Sequence, residues 1–163
     1  MRSSLILTSI FTILLLSLTA LGQTNYETYG NSRFAYSIDY PKGVLIPQDE
    51  AENGDGRVFL SKSGTAELRV WGQYNALEKT LKQSYQEDLR EYGSGVTYKI
   101  LKSDSYVISG IKGGKIFYQK TLLKGDGTDG GAIYCTFTMK YRRSEKAKYD
   151  PIVTHVAASF RFD

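Results

Sequence analysis

The chain has 163 residues, a formal net charge of +4, one cysteine and one histidine. That length suits a single domain able to bury roughly two thirds of its unfolded surface. Cys135 alone excludes an internal disulfide, Cys135 and His155 together fall short of a usual zinc ligand set, and the mild basic excess does not mark a nucleic-acid binder.

Residues 1 to 22 read as a secretory leader. Met1 and Arg2 give a positive start, Leu5 to Leu21 is an apolar run broken only by small hydroxyl residues, and Ala20-Leu21-Gly22 places small side chains where a signal peptidase needs them. Cleavage is expected after Gly22, with delivery to the periplasm or the medium; the competing reading is a retained membrane anchor, since the run sits at the lower edge of spanning length. Gln23 stands where a lipid-anchored form would need cysteine. Residues 23 to 31, polar with two tyrosines, read as a flexible lead-in. Residues 32 to 163 then form one domain, with no repeat or linker to divide it.

Phe34, Tyr36, Ile38 and Tyr40 alternate with smaller or polar residues, the period of a half-buried strand, which Pro41 and Gly43 stop. Gln48 to Gly56, acidic and glycine-bearing, reads as a solvent loop. Arg57 to Lys62 and Thr65 to Trp71 predict a hairpin joined at Ser63-Gly64. Asn75 with Glu78 has capping-box spacing, and Leu77, Leu81, Tyr85, Leu89 and Tyr92 fall on one helical face that ends at Gly93. Four segments rich in β-branched and aromatic residues follow, at 96 to 101, 106 to 112, 115 to 123 and 132 to 141. Their connections are too short for parallel crossovers, so they form a meander. Ser144 to Phe160 predicts a second helix, starting afresh with Asp150 as cap and Pro151 in its first position.

The expected architecture is an α+β domain: an α/β/α sandwich with a central, mostly antiparallel sheet of about seven strands and two main helices. The run Phe34-Ala35-Tyr36-Ser37-Ile38-Asp39-Tyr40-Pro41-Lys42-Gly43 resembles the aromatic strand, Tyr-Pro and turn that open members of the PsbP/Mog1-like superfamily, and the closing helix with Ser159-Phe160 resembles their end. The resemblance spans about 34 to 162 in element order. It implies the same sandwich and a protein that binds or assists other proteins; it carries over no site residue, and fold analogy sets only a prior on function.

Chemistry-bearing residues are sparse. Cys135 alternates with Ile133, Phe137 and Met139 and is expected to be a buried, inert thiol. His155 is expected in solvent on the second helix, away from Ile152, Val156 and Phe160. No Gly-x-Ser-x-Gly elbow is present, so no catalytic residue is assigned. Asp49, Glu50, Glu52 and Asp55 depart from calcium-loop spacing, as do Asp126 and Asp129, and both segments read as turns; no metal or cofactor is assigned. Trp, Tyr and Arg dominate interface energetics, which makes Arg57, Arg69 and Trp71 the first candidate binding patch. Arg142 and Arg143, in a basic cluster from Lys140 to Lys148, are the second, fit for an acidic partner or an anionic membrane surface. The expected role is an exported, non-catalytic binding or accessory module whose partner is another envelope or secreted protein, with no nucleic acid and the oligomeric state open. An enzyme with a polar pocket and a peripheral lipid-contacting protein are the alternatives.

Overall fold

The computed structural model describes residues 24 to 125 and 131 to 163. In chain order the strands and helices are β1 (Tyr26–Asn31), β2 (Tyr36–Pro41), β3 (Leu45–Glu50), β4 (Gly56–Ser61), β5 (Ala66–Tyr74), α1 (Leu81–Tyr92), β6 (Val96–Leu101), β7 (Ser105–Lys112), β8 (Lys115–Lys124), β9 (Ile133–Arg142), α2 (Lys146–Ser159) and β10 (Arg161–Phe162). Every strand pairing is antiparallel. A seven-stranded sheet has the order β3-β4-β5-β9-β8-β7-β6, and a three-stranded sheet the order β1-β2-β10. The long pairing of β5 with β9, from Ala66↔Tyr141 to Tyr74↔Ile133, closes the meander β6 to β9 onto the first hairpin. The chain leaves the sheet at its centre, passes through α1, and returns at the far edge.

Side-chain alternation gives the large sheet two different faces. On one, Leu68, Val70, Cys135, Phe137 and Met139 meet Ile152, Val153 and Val156 from α2, Phe160 just after it, and Tyr29, Tyr36 and Ile38 from the small sheet. Phe34 seals this core by lying flat over Gly72, where an added Cβ would come within 2.5 Å of the phenyl ring. On the other face α1 packs through Leu81 on Tyr106 and Tyr134, and through Tyr92 on Ile108 and Phe117. The result is the α/β/α sandwich, of α+β class.

Several local expectations are corrected. Residues 26 to 31 of the expected flexible lead-in form β1, registered along all of β2, because Tyr29 and Asn31 turn inward: Tyr29 joins the core and Asn31 bonds the Phe34 amide at 2.9 Å and the Gly54 carbonyl at 2.9 Å. The aromatic strand begins at Tyr36 and belongs to the small sheet, while β3 takes the seventh place in the large one; Gln48 to Glu50 are therefore strand, not loop. An edge strand accepts Pro47 and its charged neighbours because one row of its backbone groups has no partner strand. The first helix begins four residues later than its stripe predicts, capped by Thr80, which accepts from the Gln83 amide while the Gln83 side chain accepts from the Thr80 amide. Asn75 instead clasps its own turn, and Glu78, at φ 50°, breaks the helical path. The second helix runs unbroken through Pro151, and Asp150 is not its cap: it accepts from the Tyr141 hydroxyl at 2.8 Å and from Lys146. Burial of Tyr149, Ile152, Val153 and Val156 holds this helix despite the missing amide. Gly113 and Gly114, at φ 58° and 75°, form the two-residue turn between β7 and β8 as their spacing predicts. The leader and the Asp126 to Asp129 turn lie outside the described residues.

Candidate functional site

Helix α1 packs over β6 and β7 and leaves the middle of its sheet face open. Between the helix and strands β5 and β9 runs a groove of about 650 Å³. Its floor is polar, since the residues of β8 and β9 that point this way are Gln119, Thr121, Thr136 and Thr138, each at most 6% exposed. Buried polar groups must find partners, and on the helix side they do. Asp88 Oδ2 accepts from the Tyr106 hydroxyl and from Gln119 Nε2; Gln119 Oε1 accepts from the Tyr92 hydroxyl at 3.0 Å. The Thr121 and Thr136 hydroxyls share a hydrogen bond of 2.9 Å. Tyr134 donates to the Lys79 carbonyl at 2.7 Å, and the Lys79 ammonium reaches Glu87 at 2.6 Å. Burial pushes the Asp88 carboxyl above its ordinary pKa, with the neighbouring Glu91 and Glu87 adding to the rise and the two donors opposing it.

The sheet side of the groove is built differently. Arg69 pairs with Thr138 across the ladder, Glu67 with Lys140 and Trp71 with Thr136, so Arg69, Trp71, Thr138 and Lys140 share one face in adjacent rows. Arg69 Nε contacts Glu67 at 3.2 Å, which leaves the outer fork of the guanidinium free. Among the described residues, Thr138, Lys140, Gln73 and the Trp71 indole N–H make no side-chain hydrogen bond. One wall of the groove is thus satisfied internally, and the other carries uncommitted donors beside an aromatic ring.

Of the residues predicted from sequence, Arg69 and Trp71 line this groove together. Arg57 is not part of this groove: it lies opposite Val70 in the ladder, with its guanidinium 5.1 Å from the centre of the Tyr29 ring and 3.5 Å from Glu50, and it meets Arg69 and Trp71 only at a second, shallower cleft at the sheet edge. Arg142 ends β9 and Arg143 begins the short turn before α2; both are exposed and apart from the groove. Lys146 is engaged with Asp150, and Lys148 lies 4.9 Å from the Tyr149 ring centre. Sequence reasoning missed Thr138, Gln73 and Asp88 and assigned Lys140 to the basic cluster alone. The signal was there in β9, where Tyr134, Thr136, Thr138 and Lys140 alternate with Cys135, Phe137 and Met139.

Cys135 is fully buried, and loss of water pushes its thiol up to about 12, so it is inert as expected. His155 is not free in solvent. Its Nε2 lies 3.0 Å from Asp39 Oδ2 and its ring stacks on Tyr26 at 3.6 Å, tying α2 to the first two strands. The side chain stays 44% exposed, and this pair lies outside the groove. The acidic segment is partly committed to structure, with Glu50, the last residue of β3, accepting from Tyr29 at 2.7 Å. Among the described residues no three His, Cys, Asp or Glu side chains gather as a metal site.

No protein-family model matches the chain, and no curated protein matches it. Among solved structures, cyanobacterial PsbP (CyanoP) from Synechocystis is 16% identical, with a TM-score of 0.59 over 91% of this chain and 99% of that one. The Ran-binding protein Mog1p of Saccharomyces cerevisiae is 12% identical, with a TM-score of 0.49 over 85% of this chain and 96% of that one. The likeness to CyanoP shows that the fold is PsbP/Mog1-like.

Proposed function

We propose that this chain, with its PsbP/Mog1-like fold, is an exported, non-catalytic binding module that docks a partner protein in the groove beside α1. The observation that carries the reading is the unequal groove. Arg69, Trp71, Thr138 and Lys140 present unspent donors and an indole on a rigid sheet, the residue types that anchor interfaces. The groove is lined by neither histidine nor cysteine, and the exposed His155–Asp39 pair lies elsewhere, so the groove's chemistry favours recognition. Export rests on the leader at residues 1 to 22; a protein recovered from its native source with Gln23 at its amino terminus supports it.

The test places a photo-reactive benzoylphenylalanine at Gln73, an exposed groove residue, and a control at Lys62, outside the groove. A discrete cross-linked protein from Gln73, absent from the control and lost in Trp71→Ala, is the expected result. Equal labelling from both positions, or none from the groove, removes the reading.

A second reading draws on the sheet corner, where Lys115 lies opposite both Lys112 and Arg142 and all three share a face. Such a cluster fits an anionic membrane surface. Co-sedimentation with phosphatidylglycerol vesicles that fades as salt rises, and disappears in Arg142→Glu with Lys115→Glu, would favour it.

A further inference from the structure

The turn between β5 and α1 holds a leucine in water. Leu77 is 74% exposed at the mouth of the groove, more than any other large apolar side chain described. The turn that carries it is firmly held. Asn75, only 5% exposed, accepts from the Lys79 amide at 2.9 Å and donates to the Lys79 carbonyl at 3.0 Å, and its backbone amide bonds the Ala132 carbonyl at 2.8 Å. The Tyr134 hydroxyl bonds the same Lys79 carbonyl, and Glu78 is kept at a left-handed φ of 50° that only glycine adopts freely. A strained residue and a buried amide together present an apolar side chain outward, an arrangement that folding alone does not require.

From Leu77 the groove leads past Trp71 to the cations. Arg69 and the strand's end at Tyr74 are about 17 Å apart at the usual strand rise, the reach of about five residues of extended chain. At that end the free fork of Arg69, the Thr138 hydroxyl and the Lys140 ammonium lie on neighbouring rows of one face, with Glu67 opposite Lys140 and bonded to Arg69 Nε, so the two cations outnumber the one acid beside them. Arginine's fork matches a carboxylate. The facing wall carries Glu87, Asp88 and Glu91, which repel a run of acids but not one carboxylate directed at the sheet.

We propose that the groove docks an extended segment of the partner carrying a single Asp or Glu four to five residues from a large apolar side chain. The carboxylate sits on Arg69, Thr138 and Lys140, and the apolar side chain sits between Trp71 and Leu77. This rests on the reading above that the groove is the binding face and adds what it binds.

Random octapeptides displayed on phage and selected on the purified protein test it without knowledge of the partner. The expected pool carries one acidic residue at that distance from Leu, Ile, Phe, Tyr or Trp. Enrichment falls at least tenfold on Arg69→Ala with Lys140→Ala, both exposed positions that the fold tolerates. On Leu77→Ser the pool keeps its acid and loses its apolar preference. A selected peptide, titrated with emission from Trp71 as the readout, should weaken as salt rises; that residue is the chain's single tryptophan. No enrichment, peptides without the acid, or the same peptides recovered on the double variant overturns the proposal. Should the Gln73 cross-link persist through such a result, the binding face stands and only the partner's chemistry falls.

Discussion

The two faces of the seven-stranded sheet are made by alternate residues of the same strands, yet they are closed by different physics. In β9, Cys135, Phe137, Met139 and Tyr141 enter a core sealed by α2 and the small sheet, where removal of apolar area from water supplies the stability. Tyr134, Thr136, Thr138 and Lys140 lie on the opposite face, where hydrogen bonds of Tyr134 and Thr136 do much of the closing and part of the face is never closed. A sheet with one apolar and one polar face can spend the first on folding and keep the second for contact. The uncommitted side chains lie in the part of the second face that α1 does not reach.

The comparison breaks if the apolar face is not the main source of stability. Phe137 is fully buried and meets Phe160 edge-on at 5.2 Å and Tyr118 at 5.7 Å. Phe137→Ala should cost about 3–5 kcal/mol in denaturant unfolding, because the cavity adds to the lost transfer energy. A cost under about 1 kcal/mol would mean that this core collapses around the gap and does not govern the fold. On the polar face the expected penalty is smaller and of another kind. Gln119→Leu keeps the volume but strips Asp88 of one donor and the Tyr92 hydroxyl of its acceptor, so the loss should be about 1–3 kcal/mol. If it instead stabilises the protein, the network is incidental and the groove floor is ordinary core.

Helix α1 sharpens the same contrast, since it covers its face with only two small apolar clusters and leans on its own cap. Thr80→Ala removes the acceptor for the Gln83 amide and half of a reciprocal pair, at about 1 kcal/mol. The loss should appear first as faster hydrogen exchange in α1, with α2 unchanged.

What was legible in the sequence follows the same division. The sandwich, the meander, the hairpin glycines and the inert Cys135 could be read because period-two apolar alternation and Gly-Gly turns are local signals of burial and direction. The first strand was hidden because its inward residues are Tyr29 and Asn31, whose polar atoms find partners only in the folded chain. The helix start was misplaced because Asn75 and Glu78 satisfy the capping spacing that Thr80 and Gln83 actually use. That Arg69 and Trp71 share a face follows from their spacing in one strand, whereas the face that Arg57 takes on the neighbouring strand depends on a register that sequence does not print. His155 acquired Asp39 across the boundary between α2 and β2, a pairing of residues far apart in the chain.

The smallest expected effect is a difference in pH slope at Asp88. Burial raises this carboxyl above its ordinary pKa, so the folded protein holds the proton more tightly than the unfolded chain does. Its favourable contribution is therefore complete below the ordinary carboxyl pKa of about 4 and is lost as pH rises through the raised value. In Asp88→Asn the side-chain oxygen still accepts from Tyr106 and Gln119, but nothing titrates. The stability of the variant relative to wild type should then grow between pH 3.5 and pH 7 in urea titrations at both values. Glu27, held below the usual range by its bonds from Lys42 and Tyr40, has the opposite slope, but it is present in both proteins and cancels. A difference that is the same at the two pH values would mean that water reaches Asp88 freely, and that the polar face is open on the helix side as well as on the sheet side.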